Sequence, residues 1–396
     1  MNRKDAIDFT DTETAFAYKS DRALKRGAQV FSLMNHPTLI DIMSWLGIRA
    51  VRLGLPFARA VIRQTLYKQF VGGVSLSDLE EVIAALKAHR CFAILDYAAE
   101  GKNKPAEFDQ ATEQFVKTID FAAGTDSVPV ISVKLSALTA NGILEQWGEP
   151  AERKADFEEE FEKVYERLDR ICARAASGGV GIFIDAEESW YQGAIDYLAT
   201  DMMARYNKEK VIVYNTFQLY RKDRLDFLRE NITEAQKKGY LLGAKLVRGA
   251  YMNQERERAA EKGHPDPIWP DKAGTDRAYN AALHFCAERY ESVALCAATH
   301  NMISCRLLAD IVRDLPAKRN HPHLNFCQLY GMGDDLTFNL AAAGYNVAKY
   351  LPYGPVREVL PYLVRRADEN KAMAHEFNRE YRLIKSEIER RKKHKI

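Results

Sequence analysis

Eight short apolar runs recur along the chain, separated by segments in which apolar residues return every three or four positions. The runs are CFAILDYA from Cys91, VPVISVKLSAL from Val128, GVGIFIDAE from Gly179 and VIVYNTFQLY from Val211. They continue with LLGAKLVRGAY from Leu241, SVALCAATHN from Ser292, HLNFCQLYGM from His323 and NVAKYLPYG from Asn346. Each is rich in apolar, often β-branched residues, the pattern of strands buried on both faces of a parallel sheet. Between two of them, DFEEEFEKVYERLDRICARAA places Phe157, Phe161, Val164, Leu168 and Ile171 on one helical face. A strand-then-helix unit repeated eight times predicts an α/β protein with a TIM-type (β/α)8 barrel. A doubly wound open sheet is the alternative, but no G-x-G-x-x-G turn follows the first strand.

The first 90 residues fall outside this repeat. ETAFAYKSDRALKRGAQVFSLM and SLSDLEEVIAALKAHR both carry helical patterning. The expected organisation is an N-terminal helical region, 1–90, and a catalytic barrel domain, 91–396, ending in a basic tail.

Composition narrows the classes. The 396 residues are 47% hydrophobic and 28% charged, with a net charge of only +2, so nothing points to nucleic acid. Six cysteines form no CxxC pair and lack zinc-finger spacing, which reads as reduced, core-filling thiols in a cytoplasmic setting. MNRKDAIDFTDTETAF is neither a secretory signal nor an acid-poor transit peptide. No apolar run reaches the ~18 residues of a spanning helix. Between Asp41 and Asp78 there is no acidic residue, while Arg49, Arg52, Arg59, Arg63 and Lys68 alternate with apolar side chains. That stretch reads as a solvated basic helix face or as a surface for acidic lipid headgroups.

In a (β/α)8 barrel, chemistry sits at the C-terminal ends of the strands. The polar residues there are Asp96, Lys134, Asp185 with Glu187, Gln218 with Tyr220, and Lys245 with Arg248 and Tyr251. Thr299, His300, Asn301, Gln328 and Tyr350 follow on later strands. Lys134 and Lys245 lie inside apolar strands, so each ammonium needs a partner or a polar cavity. An ion pair closing the barrel mouth and a Schiff-base lysine of an aldolase are both open readings. Asp185 suits a counter-ion that orients a cation better than a base. His300 stands alone, and no HExxH, GxSxG or Walker A pattern occurs, so no metal is expected. After the eighth run, Tyr362, Arg365, Arg366 and Glu369 fall on one helix face. Arginine forks bind carboxylate or phosphate. With Lys134 supplying charge, and Tyr350 and Leu329 an apolar wall, these residues describe a pocket for a small carboxylate with a compact apolar body.

SVKLSAL, DAEES, TFQLYRKD, KLVRGAY, ATHN, QLYGMG and YLPYG…PYLVRRADEN occur in this order. Together they resemble the motifs of the proline dehydrogenase family over nearly the whole barrel. The resemblance implies a flavoenzyme with FAD in a distorted (β/α)8 barrel. It would oxidise L-proline to Δ1-pyrroline-5-carboxylate, the first step of proline catabolism, by hydride transfer to flavin N5. The electrons would pass to a quinone. By this resemblance Arg365, Arg366 and Lys134 bind the proline carboxylate, and Asp185 and Lys245 serve at the reacting centre. Leu329, Tyr350 and Tyr362 pack around the ring. Ala186, Gln218, Lys245, Val247, Arg248, Gly249, Ala250, Tyr251, Thr299, His300, Asn301 and Glu369 match flavin-binding positions.

Two positions depart from the bacterial bifunctional members, which carry arginine where this chain has Lys245 and tryptophan where it has Met252. KLVRGAY and the following ERERAAEKGHPDPIWP look more like the eukaryotic branch. The implied enzyme is monofunctional and cytoplasmic, with peripheral contact to the inner membrane where quinone resides. Hydroxyproline dehydrogenase, the sister activity, is the alternative; the bulk of Tyr350 favours proline. A lysine Schiff-base aldolase and a membrane-surface scaffold are the readings from other classes. The oligomeric state is left open.

Overall fold

A computed structural model describes residues 7–34, 63–98, 104–368 and 374–394. Arg49, Arg52, Arg59 and Glu369 lie outside the described residues, and so do the side chains of Arg63 and Arg366.

All eight apolar runs form strands: β1 (Phe92–Tyr97), β2 (Val130–Val133), β3 (Gly181–Ile184) and β4 (Val213–Gln218) come first. They are followed by β5 (Leu242–Val247), β6 (Val293–Ala298), β7 (Leu324–Leu329) and β8 (Asn346–Tyr353). They close in chain order into a parallel barrel. Strand follows helix in alternation, as the two hydrophobic periods require.

By packing, the chain divides into two compact units. One comprises residues 94–299 and 307–325 and holds β2 to β6 with most of β1. Its helices include α4 (Pro105–Ala123), α5 (Asn141–Gly148), α6 (Phe157–Gly178), α7 (Ser189–Tyr206), α8 (Arg224–Lys238), α9 (Met252–Lys262) and α10 (Lys272–Ala287). Proline in the first turn and Glu107 accepting from the Lys104 amide start α4. Asp271 caps α10 by accepting from the Gly274 amide at 2.7 Å. The α6 face read from the sequence is the buried one: Phe157, Phe161, Val164, Leu168 and Ile171 all lie inside.

The other unit comprises residues 1–93, 300–306 and 326–396. It contains α1 (Thr12–Phe16), α2 (Asp21–Met34), α3 (Glu80–Ala88), β7, β8, α12 (Asp334–Ala342), α13 (Val356–Asp368) and α14 (Ala374–Lys393). A further helix, α11 (Met302–Asp314), begins within the same segment. The first of the two helically patterned N-terminal stretches forms two helices, α1 and α2, and Ser20 caps the second by accepting from the Ala23 amide. In the same unit α14 packs along α2, with the Phe31 and Phe377 rings 5.9 Å apart. Arg391 of α14 donates to Lys19 O and Asp21 Oδ1.

β8 extends through Pro352 to Tyr353. Gly72 donates to Pro352 O and Gly354 to Gly73 O, so pairing with the chain near Gly73 keeps Pro352 and Tyr353 extended. The six cysteines are buried, and burial pushes the Cys91 and Cys286 thiols up to about 12. No helix among the described residues is long and apolar enough to cross a membrane.

Candidate active site

Several of the residues read as functional lie at or just beyond the C-terminal ends of strands, while Tyr362, Arg365 and Arg366 lie on α13. In the first unit, Asp185 follows β3 directly, Gln218 ends β4 and Lys245 lies in β5. The register pairs Ile184 with Asn215 and Thr216 with Lys245. Asp185 and Lys245 are therefore level, on strands separated only by β4, which is how alternate strands build one layer inside a barrel. Lys245 Nζ reaches Asp185 Oδ1 at 2.5 Å, with side-chain exposures of 6% and 10%. The ammonium also lies 5.1 Å from the centre of the Phe183 ring. Of the readings left open for Lys245, the ion pair is the one realised.

The loops above this pair are tied together. Gln218 Nε2 donates to Glu187 O at 2.7 Å, and Glu187 Oε1 accepts from the Ser136 amide at 3.0 Å. Ala186, between the two acids, is buried. Lys134 sits half-buried at the first position past β2, where its carbonyl accepts from the Ala137 amide.

Beyond β5 the chain turns through Val247, Arg248, Gly249, Ala250 and Tyr251 into α9. Arg248 is held from three sides. Its Nε donates to Asp276 Oδ1 at 2.9 Å, its Nη1 to Thr299 Oγ1 at 2.6 Å, and its guanidinium lies 4.4 Å from the Tyr279 ring centre. Burial pushes the Asp276 carboxyl up, but hydrogen bonds from Lys272 and Arg248 outweigh it and hold the group below its ordinary value. Gly249 adopts φ +134°, and a Cβ there would stand 2.4 Å from the Tyr220 ring. Only glycine lets the backbone pass at this point. The result is a fixed arginine beside an open stretch of main chain, a donor set suited to an anionic, phosphate-bearing group.

In the second unit, His300 Nε2 accepts from the Leu329 amide at 3.2 Å, which places the proton of a neutral ring on Nδ1. Asn301 Oδ1 accepts from the Ser304 amide at 3.0 Å at the start of α11. Leu329 ends β7, and the next residue, Tyr330, donates its amide to Tyr350 O at 2.9 Å. Leu329 and Tyr350, expected to form one wall, are thus on paired backbone. Tyr350 is 7% exposed, Tyr362 of α13 is 4% exposed, and Arg365 is half-buried one turn further on.

The sequence reading missed Lys349. It lies wholly buried in β8 with Nζ 2.8 Å from Asp334 Oδ1. The signal was present, since NVAKYLPYG holds a lysine inside an apolar run as the Lys134 and Lys245 strands do. The buried acid that answers it, Asp334, lies in the first turn of α12. Among the described residues no cluster of His, Cys, Asp and Glu is set to hold a metal ion.

A family model described as Proline dehydrogenase matches residues 79–379. The carbapenem antibiotics biosynthesis protein CarD of Pectobacterium carotovorum subsp. carotovorum is 35% identical over 322 residues, covering 81% of this chain and 83% of that protein. Proline dehydrogenase 1, mitochondrial, of Dictyostelium discoideum is 32% identical over 375 residues, covering 83% of this chain and 65% of that protein. Hydroxyproline dehydrogenase of Xenopus laevis is 28% identical over 422 residues, with coverage of 98% and 90%. Among solved structures, proline utilization A from Bdellovibrio bacteriovorus aligns with a TM-score of 0.71 at 20% identity, covering 88% of this chain and 41% of that one. At that identity the likeness concerns the fold alone.

Proposed function

The chain belongs to the proline dehydrogenase family, and on that premise we propose that it is an FAD-dependent oxidoreductase converting L-proline to Δ1-pyrroline-5-carboxylate and passing electrons to a quinone. The observation that carries the cofactor assignment is the turn after β5. There Arg248 is fixed by Asp276 and Thr299 on the turn that leads into α9, and a placed guanidinium supports binding of the pyrophosphate of a dinucleotide. By the family resemblance, Ala186, Gln218, Lys245, the Val247–Tyr251 turn, Thr299, His300, Asn301 and Glu369 would hold the flavin. When bound, the flavin supplies the hydride acceptor.

The chain's own residues do the rest. Arg365 and Arg366, with Lys134, bind the substrate carboxylate and fix the ring. Leu329, Tyr350 and Tyr362 exclude water from its apolar face. Lys245 brings positive charge to the reacting centre, where negative charge accumulates on reduction, and Asp185 holds that ammonium in place. The amine proton passes to water, since Asp185 is engaged by Lys245.

The alternatives weaken on particular residues. An aldolase would use Lys134 or Lys245 as a Schiff-base lysine, and of these Lys245 is ion-paired with Asp185. For hydroxyproline, Tyr350 crowds the position a ring hydroxyl would take. The proposed setting is cytoplasmic with peripheral membrane contact for quinone access, and the proposed organisation is a helical region, 1–90, preceding the barrel domain, 91–396. Steady-state oxidation of L-proline and of trans-4-hydroxy-L-proline with a soluble quinone tests the reading. Faster turnover of L-proline, yielding a cyclic imine, is expected; no turnover of either refutes it.

A further inference from the structure

The turn that carries Leu329 is held by more side chains than its length demands. Between Leu329 and Gly333, several backbone polar groups are engaged by distant parts of the same unit. His300 Nε2 accepts from the Leu329 amide. Tyr330 donates to Tyr350 O. Gln69 Nε2 donates to Gly331 O at 2.5 Å. Lys349 Nζ donates to Met332 O at 2.7 Å and to Leu329 O at 3.4 Å. The Gly333 amide donates to Glu380 Oε2 at 2.8 Å. Gly331 (φ +87°) has no room for a side chain, because a Cβ would stand 1.9 Å from Gln69 O.

Lys349 is the centre of this arrangement. It is 0% exposed, and a buried ammonium is costly without full compensation. Asp334 supplies that compensation at 2.8 Å, and is itself fixed by Lys19 at 2.5 Å and by the Tyr18 hydroxyl at 2.9 Å. Hydrophobic packing alone could fill the same space at lower risk. What the ammonium adds is direction: two carbonyls of one turn are drawn to a point in β8 immediately before Tyr350.

We propose that Lys349 is a positioning residue for substrate, whose ammonium holds the Leu329–Gly333 turn so that Leu329 and Tyr350 present a rigid wall to the substrate ring. This rests on the reading that those two residues face the ring. Lys349 touches neither substrate nor cofactor; it acts through Leu329. A rigid wall matters because misplacing a bound ring by about 1 Å can cost on the order of a hundredfold in rate.

Two variants of the flavin-loaded chain test this, with L-proline as substrate and acetate as a competitive probe. Acetate carries the carboxylate without the ring, so it reports the arginine clamp and not the wall. K349M removes the ammonium that holds the turn while Lys19 still pairs with Asp334, so no buried charge is left without a counter-ion. Q69L removes a neutral contact to the same turn and serves if K349M does not fold. The expected result is that KM for L-proline rises about tenfold in K349M, and several-fold in Q69L, while the acetate inhibition constant stays within about twofold of wild type. A merely structural Lys349 would lower the thermal stability of K349M and leave its KM for L-proline at the wild-type value, and that result overturns the inference. So does an acetate constant that shifts in step with KM, because the damage then reaches the whole site. Failure of acetate to inhibit the wild-type enzyme would instead refute the carboxylate clamp, a separate part of the account.

Discussion

Lys245 of β5 and Asp185, the residue that follows β3, meet 2.5 Å apart at one level of the barrel, across the intervening β4. Both are buried, so neither can lose its partner cheaply. Asp185→Ala or Lys245→Met should each destabilise the fold by about 3–5 kcal/mol. The double variant should recover part of that loss and none of the activity, because the cation proposed at the reacting centre is gone. Urea unfolding beside turnover assays reads both. Full activity in the double variant would remove Lys245 from the chemistry.

Glu380 offers a test by pH. Burial, then the charges of Asp334 and Asp335, push its carboxyl up to about 7. Lys19 and the Gly333 amide act the other way. Its Oε1 is buried without a hydrogen-bond partner, as suits a carboxyl that keeps its proton. The folded state then holds a proton the unfolded chain has released. This contribution is fully present below the unfolded value of 4.5 and is lost as pH rises through about 7. Glu380→Gln should abolish that slope, so the stability difference between variant and wild type should change by at most roughly 3 kcal/mol across the window. A difference independent of pH from 4.5 to 7 would show that Glu380 titrates normally.

Gly249→Ala tests the turn after β5. A methyl group would enter the Tyr220 ring at 2.4 Å, from a backbone with φ +134°. Strain of about 1–3 kcal/mol is expected. Because the turn is assigned to the cofactor, the flavin-to-protein ratio should fall with it. Wild-type flavin content in a folded variant would move the cofactor elsewhere.

Arg366→Met tests the carboxylate clamp. Substrate or transition-state binding should weaken by at least about 2 kcal/mol, roughly thirtyfold in kcat/KM, because the carboxylate loses one of its charge-assisted partners. Unchanged L-proline kinetics would refute the assignment.

The barrel was legible because each strand is apolar on both faces and each long helix has a single apolar stripe. The register that levels Asp185 with Lys245 was not, since it depends on pairing between strands far apart in sequence. The strand-end rule located Gln218, Lys245, Arg248 and Thr299, and the structure supplies their partners, Glu187, Asp185 and Asp276. Lys349 escaped notice because it lies one residue before Tyr350, which drew attention for its bulk. Its partner Asp334 sits in the first turn of α12, where an acid is ordinary. Only packing shows that it is 0% exposed.

The central claim, a flavin that L-proline reduces at this site, is tested most directly by the absorbance of the purified protein at about 450 nm. Under anaerobic conditions the oxidised flavin band should be present at the outset and bleach on addition of L-proline, more readily than with trans-4-hydroxy-L-proline. A colourless protein, or a flavin band that L-proline leaves intact, would contradict the account.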